Sequence, residues 1–168
     1  YTGSYRREIE VPAAWKGMQI FLHIGSATSN VEVWANGKHV GYAEDSKMES
    51  EYNVTQYLKP GKKNLLALQV MRWCDGSYGE DQDFWRFTGI SREVYLYARP
   101  AARIQDMDLS PSLQNGYKDG VLNISLQLNG SKGKVMEAAL VDRATGKVVA
   151  QAQPERLGGT EYRTKMEV

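Results

Sequence analysis

Four carboxylates, two indoles and a thiol fall within one fifteen-residue stretch, Arg72-Trp73-Cys74-Asp75-Gly76-Ser77-Tyr78-Gly79-Glu80-Asp81-Gln82-Asp83-Phe84-Trp85-Arg86. Carboxylates accept hydrogen bonds from hydroxyl groups and bind hard cations, and flat aromatic faces cover the apolar C–H face of a sugar ring. Apolar walls with a few placed polar groups are what a small-ligand site requires. Asp-Gly, Ser and clustered acids are poor strand formers, so the stretch is expected to be an excursion from a sheet. Long excursions that carry large apolar rings are more often functional than mere spacers. A plainer reading has the tryptophans plugging the core and the acids forming a solvated tip. Residue types alone leave both readings open.

The remaining chemistry-bearing residues narrow the choice. Cys74 is the single cysteine, which excludes an internal disulfide and a multi-cysteine zinc site, and a lone thiol here is expected to be a small buried filler. His23 and His39 are the two histidines, one in an apolar strand pattern and one just after a tight turn, and neither reads as a metal ligand. The chain holds no serine–histidine–acid spacing and no glycine-rich phosphate loop. A formal net charge of +1 argues against nucleic-acid steering or adhesion to an anionic membrane. No apolar run approaches the length of a membrane-spanning helix, and no signal-peptide pattern opens the chain. The sequence starts without Met and closes within a strand-like run, so it is expected to be an excised piece of a longer polypeptide.

The elements that position the stretch read as β throughout. Tyr5, Arg7, Ile9 and Val11 alternate with Arg6, Glu8 and Glu10, a period of two, and Pro12 ends the run. Gln19 to Ile24 is a compact apolar run expected to be buried on both faces. Val31, Val33 and Ala35 lead into Asn36-Gly37, the strongest hairpin signal in the chain. Glu51 to Leu58 predicts a short strand and one helical turn capped by Asn53 or Thr55 and stopped by Pro60-Gly61. Leu65 to Met71 reads as a central strand that feeds the stretch, and Ser91 to Tyr97 as the strand that follows it. Beyond Arg99-Pro100-Ala101-Ala102 tryptophan disappears, and strands are expected over Ile104 to Leu109, Gly120 to Leu128, Lys134 to Asp142 and Lys147 to Gln153. The fold expected is all-β: a sandwich, then a small immunoglobulin-like sandwich of incomplete strand count.

The run from Arg72 to Arg86 followed by Gly89-Ile90 and Arg92 resembles the bacterial β-galactosidases of glycoside hydrolase family 2. The likeness extends through Gly3-Ser4-Tyr5, Gly25, Ser29, Val33-Trp34-Ala35-Asn36-Gly37, Val40-Gly41-Tyr42, Asp45-Ser46, Pro60-Gly61 and Asn64-Leu65-Leu66-Ala67. The resemblance implies a sugar-binding jelly-roll (galactose-binding-like) β-sandwich over 1–99, entered part-way through its first strands, and part of an immunoglobulin-like domain over 100–168. It also implies a catalytic (β/α)8 barrel elsewhere in the same polypeptide, a β-galactoside substrate and a homo-oligomeric parent. By the same resemblance Asp83 binds a galactose hydroxyl and helps hold a sodium ion once the barrel is present, with magnesium in the barrel itself. Trp73, Glu80, Asp81, Phe84 and Trp85 are implied as the loop that supports Asp83. Cys74 stands where the family commonly has serine, and Gly79 where a larger residue is usual.

Glu80 and Asp83 could be drawn as the carboxyl pair of a retaining glycosidase, which needs two groups roughly 5 Å apart. The family's catalytic glutamates lie in its barrel, which takes roughly 250 residues, more than this chain holds. The fragment alone is therefore expected to be inactive. The alternatives are a free-standing carbohydrate-binding module and a piece of a family 2 β-glucuronidase or β-mannosidase.

Overall fold

The structure is a computed structural model that describes residues 1–79, 83, 85, 87–130 and 136–167. Its elements divide into two compact units, Tyr1–Pro100 and Ala101–Val168.

The first unit contains β1 (Thr2–Glu10), β2 (Gln19–Ile24), β3 (Ala27–Thr28), β4 (Asn30–Ala35) and β5 (Lys38–Ala43), followed by β6 (Ser50–Asn53), β7 (Lys63–Met71), β8 (Gly89–Ile90) and β9 (Val94–Arg99). Short 3-10 turns cover Ala13–Trp15 and Asp75–Tyr78. All pairings are antiparallel. One sheet runs β1-β7-β4-β5, the facing sheet runs β6-β2-β9, and β3 with β8 makes a two-stranded ribbon. This is a jelly-roll sandwich, and alternation along each strand decides which side chains fill it. Val31 stands opposite Val70, Val33 opposite Leu68 and Ala35 opposite Leu66, so one face of β4 and β7 supplies one wall of the core. Ile20, Leu22 and Ile24 from β2 supply the other wall, and all three are fully buried.

Gln19 to Ile24 departs from expectation, because only alternate residues are buried. Phe21 and His23 lie on the outer face, stacked on Tyr97 and Tyr95 at 5.4 and 4.6 Å. Their aromatic character serves an outer stack, which a plain count of apolar residues reads as a second buried face. The strand after the excursion starts at Val94, three residues later than the sequence pattern suggests. Asn36 and Gly37 take φ of 50° and 80°, the positive values that a two-residue hairpin with the twist of its strands demands. At the predicted helical turn Asn53 Oδ1 accepts from the Thr55 amide at 3.1 Å, so Asn53 is the cap, and Thr55 Oγ1 accepts from the Ile20 amide at 2.8 Å.

The second unit is a smaller, immunoglobulin-like sandwich: β10 (Arg103–Gln114), β11 (Asp119–Asn129), β12 (Ala138–Val141), β13 (Val148–Ala152), β14 (Glu155–Gly158) and β15 (Glu161–Glu167). Its sheet runs β10-β11-β15-β14, with the β12–β13 hairpin as the second layer. Ile124, Leu126 and Met166 are its buried centre. The expected strand at Ile104 to Leu109 runs on to Gln114, since eleven residue pairs register it against β11. Asp142 closes the β12–β13 turn by accepting from the Thr145 amide and hydroxyl, both at 2.7 Å, and these bonds hold its carboxyl below the usual range.

One buried side chain ties the far end of the first unit together. Asn64, 2% exposed, accepts from the Lys59 amide at 2.7 Å and from Asn36 Nδ2 at 2.8 Å, and donates to the Lys59 and Lys62 carbonyls at 3.0 and 2.8 Å. An aliphatic side chain there would strand several buried polar groups at once. Asn64→Ala is expected to destabilise the first unit by about 2 to 3 kcal/mol, measured as a lowered urea midpoint at an unchanged slope. An unchanged midpoint would show that water replaces the amide without loss.

Candidate functional site

β7 delivers the chain into the excursion and β8 takes it back. Its first part is ordered by its own residues. Cys74 occupies the N-cap of the Asp75–Tyr78 turn; its amide donates to Ser77 Oγ at 3.0 Å, and the Ser77 amide donates to the Cys74 carbonyl at 3.1 Å. Cys74 is therefore not the buried filler expected of it. It is half-buried, with Sγ 3.5 Å from Ser77 Oγ and 3.9 Å from the Ser29 carbonyl. Its place in the turn explains why a serine, the usual small polar cap, could stand there.

The tryptophans do not plug the core. Trp73 is 47% exposed and Trp85 is 76% exposed. Each ring is stacked on a neighbour: Trp73 on Tyr78 at 6.3 Å between centroids, with the Arg72 guanidinium also over the Trp73 ring at 5.3 Å, and Trp85 on Phe87 at 5.7 Å with planes 5° apart. Stacked pairs hold large rings in a fixed orientation without burying them. The excursion thus carries two exposed aromatic pairs.

Asp83 sits between these pairs in sequence, in a bend, with an exposed side chain. Among the described residues it makes no hydrogen bond or ion pair. Glu80, Asp81 and Phe84, which sequence reasoning assigned to the support of Asp83, lie outside the described residues. No group of three or more His, Cys, Asp or Glu side chains capable of holding a metal ion forms among the described residues. Among the described residues Asp83 is therefore part of no carboxylate, thiol or imidazole cluster of that kind. The histidines are engaged elsewhere: His23 stacks on Tyr95, and His39 lies 2.5 Å from Glu32 Oε2.

Two hollows flank the excursion's base, one of about 190 Å³ lined by Tyr1, Gly3, Tyr5, Thr28, Arg72 and Gly89 among others. The other, of about 50 Å³, is lined by Thr28, Ser29, Lys47, Arg72, Trp73 and Thr88, together with Ser77 and Phe87, and mixes hydroxyls, cations and aromatic walls. A larger hollow, about 570 Å³, lies elsewhere, along β1 and β9, each at the end of its sheet among the described residues. Tyr5, Ile9, Trp15, Leu66, Ile90 and Leu96 are among its lining residues. That surface is mainly apolar and poor in the groups that pair sugar hydroxyls.

Sequence reasoning missed the residues that carry the excursion. Ser29 and Asn30 are 6% and 2% exposed, and both bind the chain where β7 ends. The Ser29 amide donates to the Met71 carbonyl at 3.0 Å and Ser29 Oγ to the Arg72 carbonyl at 2.7 Å, while Asn30 Oδ1 accepts from the Met71 amide at 3.1 Å. Asn30 Nδ2 in turn donates to Tyr42 Oη at 3.1 Å, and Tyr42 donates to Glu44. Desolvation, together with the bond to Glu44, pushes the Tyr42 hydroxyl up to about 12, so it remains protonated and donating at neutral pH. The available signal was a Ser-Asn pair directly ahead of the alternating run Val31, Val33 and Ala35.

Comparison with known proteins identifies the family. The family described as glycosyl hydrolases family 2, sugar binding domain, matches residues 1–100. A β-galactosidase of Priestia megaterium is 36% identical over 167 residues, which is 96% of this chain and 16% of that protein. A β-galactosidase of Aeromonas hydrophila is 41% identical over 142 residues, 84% of this chain and 14% of that one. The chain thus spans about a sixth of the length of these relatives. Among solved structures, a β-glucuronidase of Bifidobacterium dentium, in complex with coumarin-3-O-glucuronide, covers 99% of the chain with a TM-score of 0.82 at 20% identity, and the match takes 33% of that structure. At that identity the likeness speaks for the fold. A jelly roll over the first hundred residues, sequence identity above a third to β-galactosidases along most of the chain, and a shared two-sandwich fold have one common explanation: this chain belongs to glycoside hydrolase family 2 and contains its sugar-binding domain.

Proposed function

We propose that this chain is the non-catalytic, substrate-contacting part of a β-galactosidase, in which the excursion from β7 carries Asp83 to a sugar held mainly by a (β/α)8 barrel of the same polypeptide. The observation that carries the reading is the state of Asp83: an exposed carboxylate, without a hydrogen bond or ion pair among the described residues, between two stacked aromatic pairs in sequence. A carboxylate paired within its own domain would have little left to offer a hydroxyl. Identity of 36% and 41% to β-galactosidases, against 20% to the β-glucuronidase, favours a galactoside as the substrate.

In this reading Asp83 accepts a hydrogen bond from a galactose hydroxyl and supplies one oxygen to a sodium ion, whose remaining ligands come from the barrel. Magnesium belongs to the barrel alone. Trp73 and Trp85 flank the carboxylate, and Glu80, Asp81 and Phe84 complete its support. The acid and the nucleophile of the retaining reaction lie outside this chain. The parent assembles as a homo-oligomer, which light scattering on the full-length protein would measure.

A second reading has one specific observation in its favour. Trp73, Tyr78 and Trp85 are exposed by 47%, 82% and 76%, as the platform of a free-standing carbohydrate-binding module would be. Calorimetric titration of the 168-residue chain with galactose or lactose separates the two. The accessory reading expects no measurable heat up to millimolar sugar, and saturable binding would favour the module.

In the full-length protein, Asp83→Ala is expected to raise KM for a chromogenic β-galactoside by about tenfold to a hundredfold, the cost of one charged hydrogen bond to substrate. The 168-residue chain alone is expected to release no chromophore. Unchanged KM and kcat in Asp83→Ala would overturn the proposed role of the carboxylate, and turnover by the isolated chain would overturn its non-catalytic assignment.

A further inference from the structure

The excursion leaves the first unit after Met71 and rejoins it at Thr88, and both roots meet the same four residues. Ala27 and Thr28 form β3, which pairs with β8 through Ala27–Ile90 and Thr28–Gly89. Gly89, at a φ of 98°, makes the turn back into the sheet in a conformation other residues rarely adopt. Ser29 and Asn30 follow directly and bind the outgoing root at Met71 and Arg72. The segment Ala27–Asn30 is therefore hydrogen-bonded to both ends of the excursion, although some seventeen residues of chain separate those ends.

This segment also lies in an unusual environment. Of the five polar side chains buried among the described residues, four gather here: Ser26, Ser29, Asn30 and Ser46. The Ala27 amide donates to the Ser46 carbonyl at 3.2 Å, Ser26 Oγ donates to the same carbonyl at 3.3 Å, and Ser91 Oγ donates to Ser26 Oγ at 3.1 Å. A sandwich interior filled only for stability would hold aliphatic groups at such sites, since burying unpaired polar atoms is costly. Here the polar atoms are spent on backbone groups where the β4–β7 ladder stops and the excursion begins. Side-chain bonds of this kind fix one geometry, whereas apolar packing tolerates several.

We propose that Ala27–Asn30 is a clamp that sets the two roots of the excursion relative to each other, and that Ser29 and Asn30 are positioning residues for Asp83. Neither touches the sugar. Each acts by fixing where the chain leaves the sheet, and the displacement produced at a root grows along the excursion toward Asp83. The role of Asp83 rests on the function proposed above, whereas the seating of the roots does not, so the two can fail separately.

The test uses the full-length protein with Ser29→Ala, Asn30→Ala, Ser29→Thr and Asp83→Ala, and the double variant Ser29→Ala/Asp83→Ala. Ser29→Ala and Asn30→Ala are each expected to raise KM for a chromogenic β-galactoside by about tenfold with little change in kcat, because small misplacements of a positioning group are magnified at the substrate. Ser29→Thr, which keeps the hydroxyl, is expected to restore most of the loss. On the Asp83→Ala background Ser29→Ala is expected to add nothing further. A KM rise that persists in full on that background, or an unchanged KM in both Ser29→Ala and Asn30→Ala while Asp83→Ala is impaired, would overturn the positioning role. Amide hydrogen exchange tests the seating itself without reference to activity. In Ser29→Ala and Asn30→Ala, exchange is expected to accelerate at residues 72–79 and 88–90 and to stay unchanged at Val33 and Leu68 in the sheet core. Acceleration spread evenly over the unit, or none at the roots, would overturn the clamp even if Asp83 proves to contact substrate. Should Asp83→Ala leave the kinetics untouched, the proposed function and the positioning of Asp83 fall together, and the exchange pattern still decides the clamp.

Discussion

A buried backbone amide or carbonyl needs a partner, and an antiparallel ladder that stops inside a protein leaves such groups at its end. Much of the first unit can be read as the answer to that requirement. Where β4 and β7 part at one end, Ser29 and Asn30 take the groups of Met71 and Arg72. Where the chain turns toward β7 at the other, Asn64 takes those of Lys59 and Lys62. Asn36 joins the two corners there, donating to Asn64 and to the Tyr57 carbonyl and accepting from the Leu65 amide. Aliphatic packing between the sheets supplies most of the driving force, and these few amides and hydroxyls decide where the strands end.

That division of labour matters for the excursion. Fifteen residues that include four acids and two glycines have little intrinsic reason to hold one shape. Fixing the roots removes much of their freedom, and the Cys74–Ser77 capping bonds and the paired rings remove more. What emerges is an exposed Asp83 carboxylate that makes no hydrogen bond or ion pair among the described residues. The aromatic pairs suit the same end, since a ring stacked on a ring keeps its orientation while remaining exposed.

The second unit repeats the β construction without such polar investment. Its buried centre is Ile124, Leu126 and Met166, and its turns are closed locally, as Asp142 does with Thr145. Nothing among its described residues brings exposed aromatic pairs and an unbonded carboxylate together as the first unit does.

Residue order alone determined the all-β class, the Asn36-Gly37 hairpin, a helical turn capped by Asn53 or Thr55, and the departure of the chain from the sheet after Met71. These follow from period-two alternation and from residues whose backbone or side-chain chemistry acts over two to four positions. Asp83 could also be singled out, through a motif dense enough to carry a family resemblance. Pairing between distant segments decided the rest. Phe21 and His23 read as core because aromatic stacking on an outer face and burial in an inner one draw on the same residue types. Trp73 and Trp85 stand in solvent because their partners, Tyr78 and Phe87, are ring neighbours within the excursion and not the aliphatic core. Ser29 and Asn30 were invisible because a serine or asparagine at the start of a strand acquires its meaning only from the carbonyls and amides some forty residues away that it meets in space.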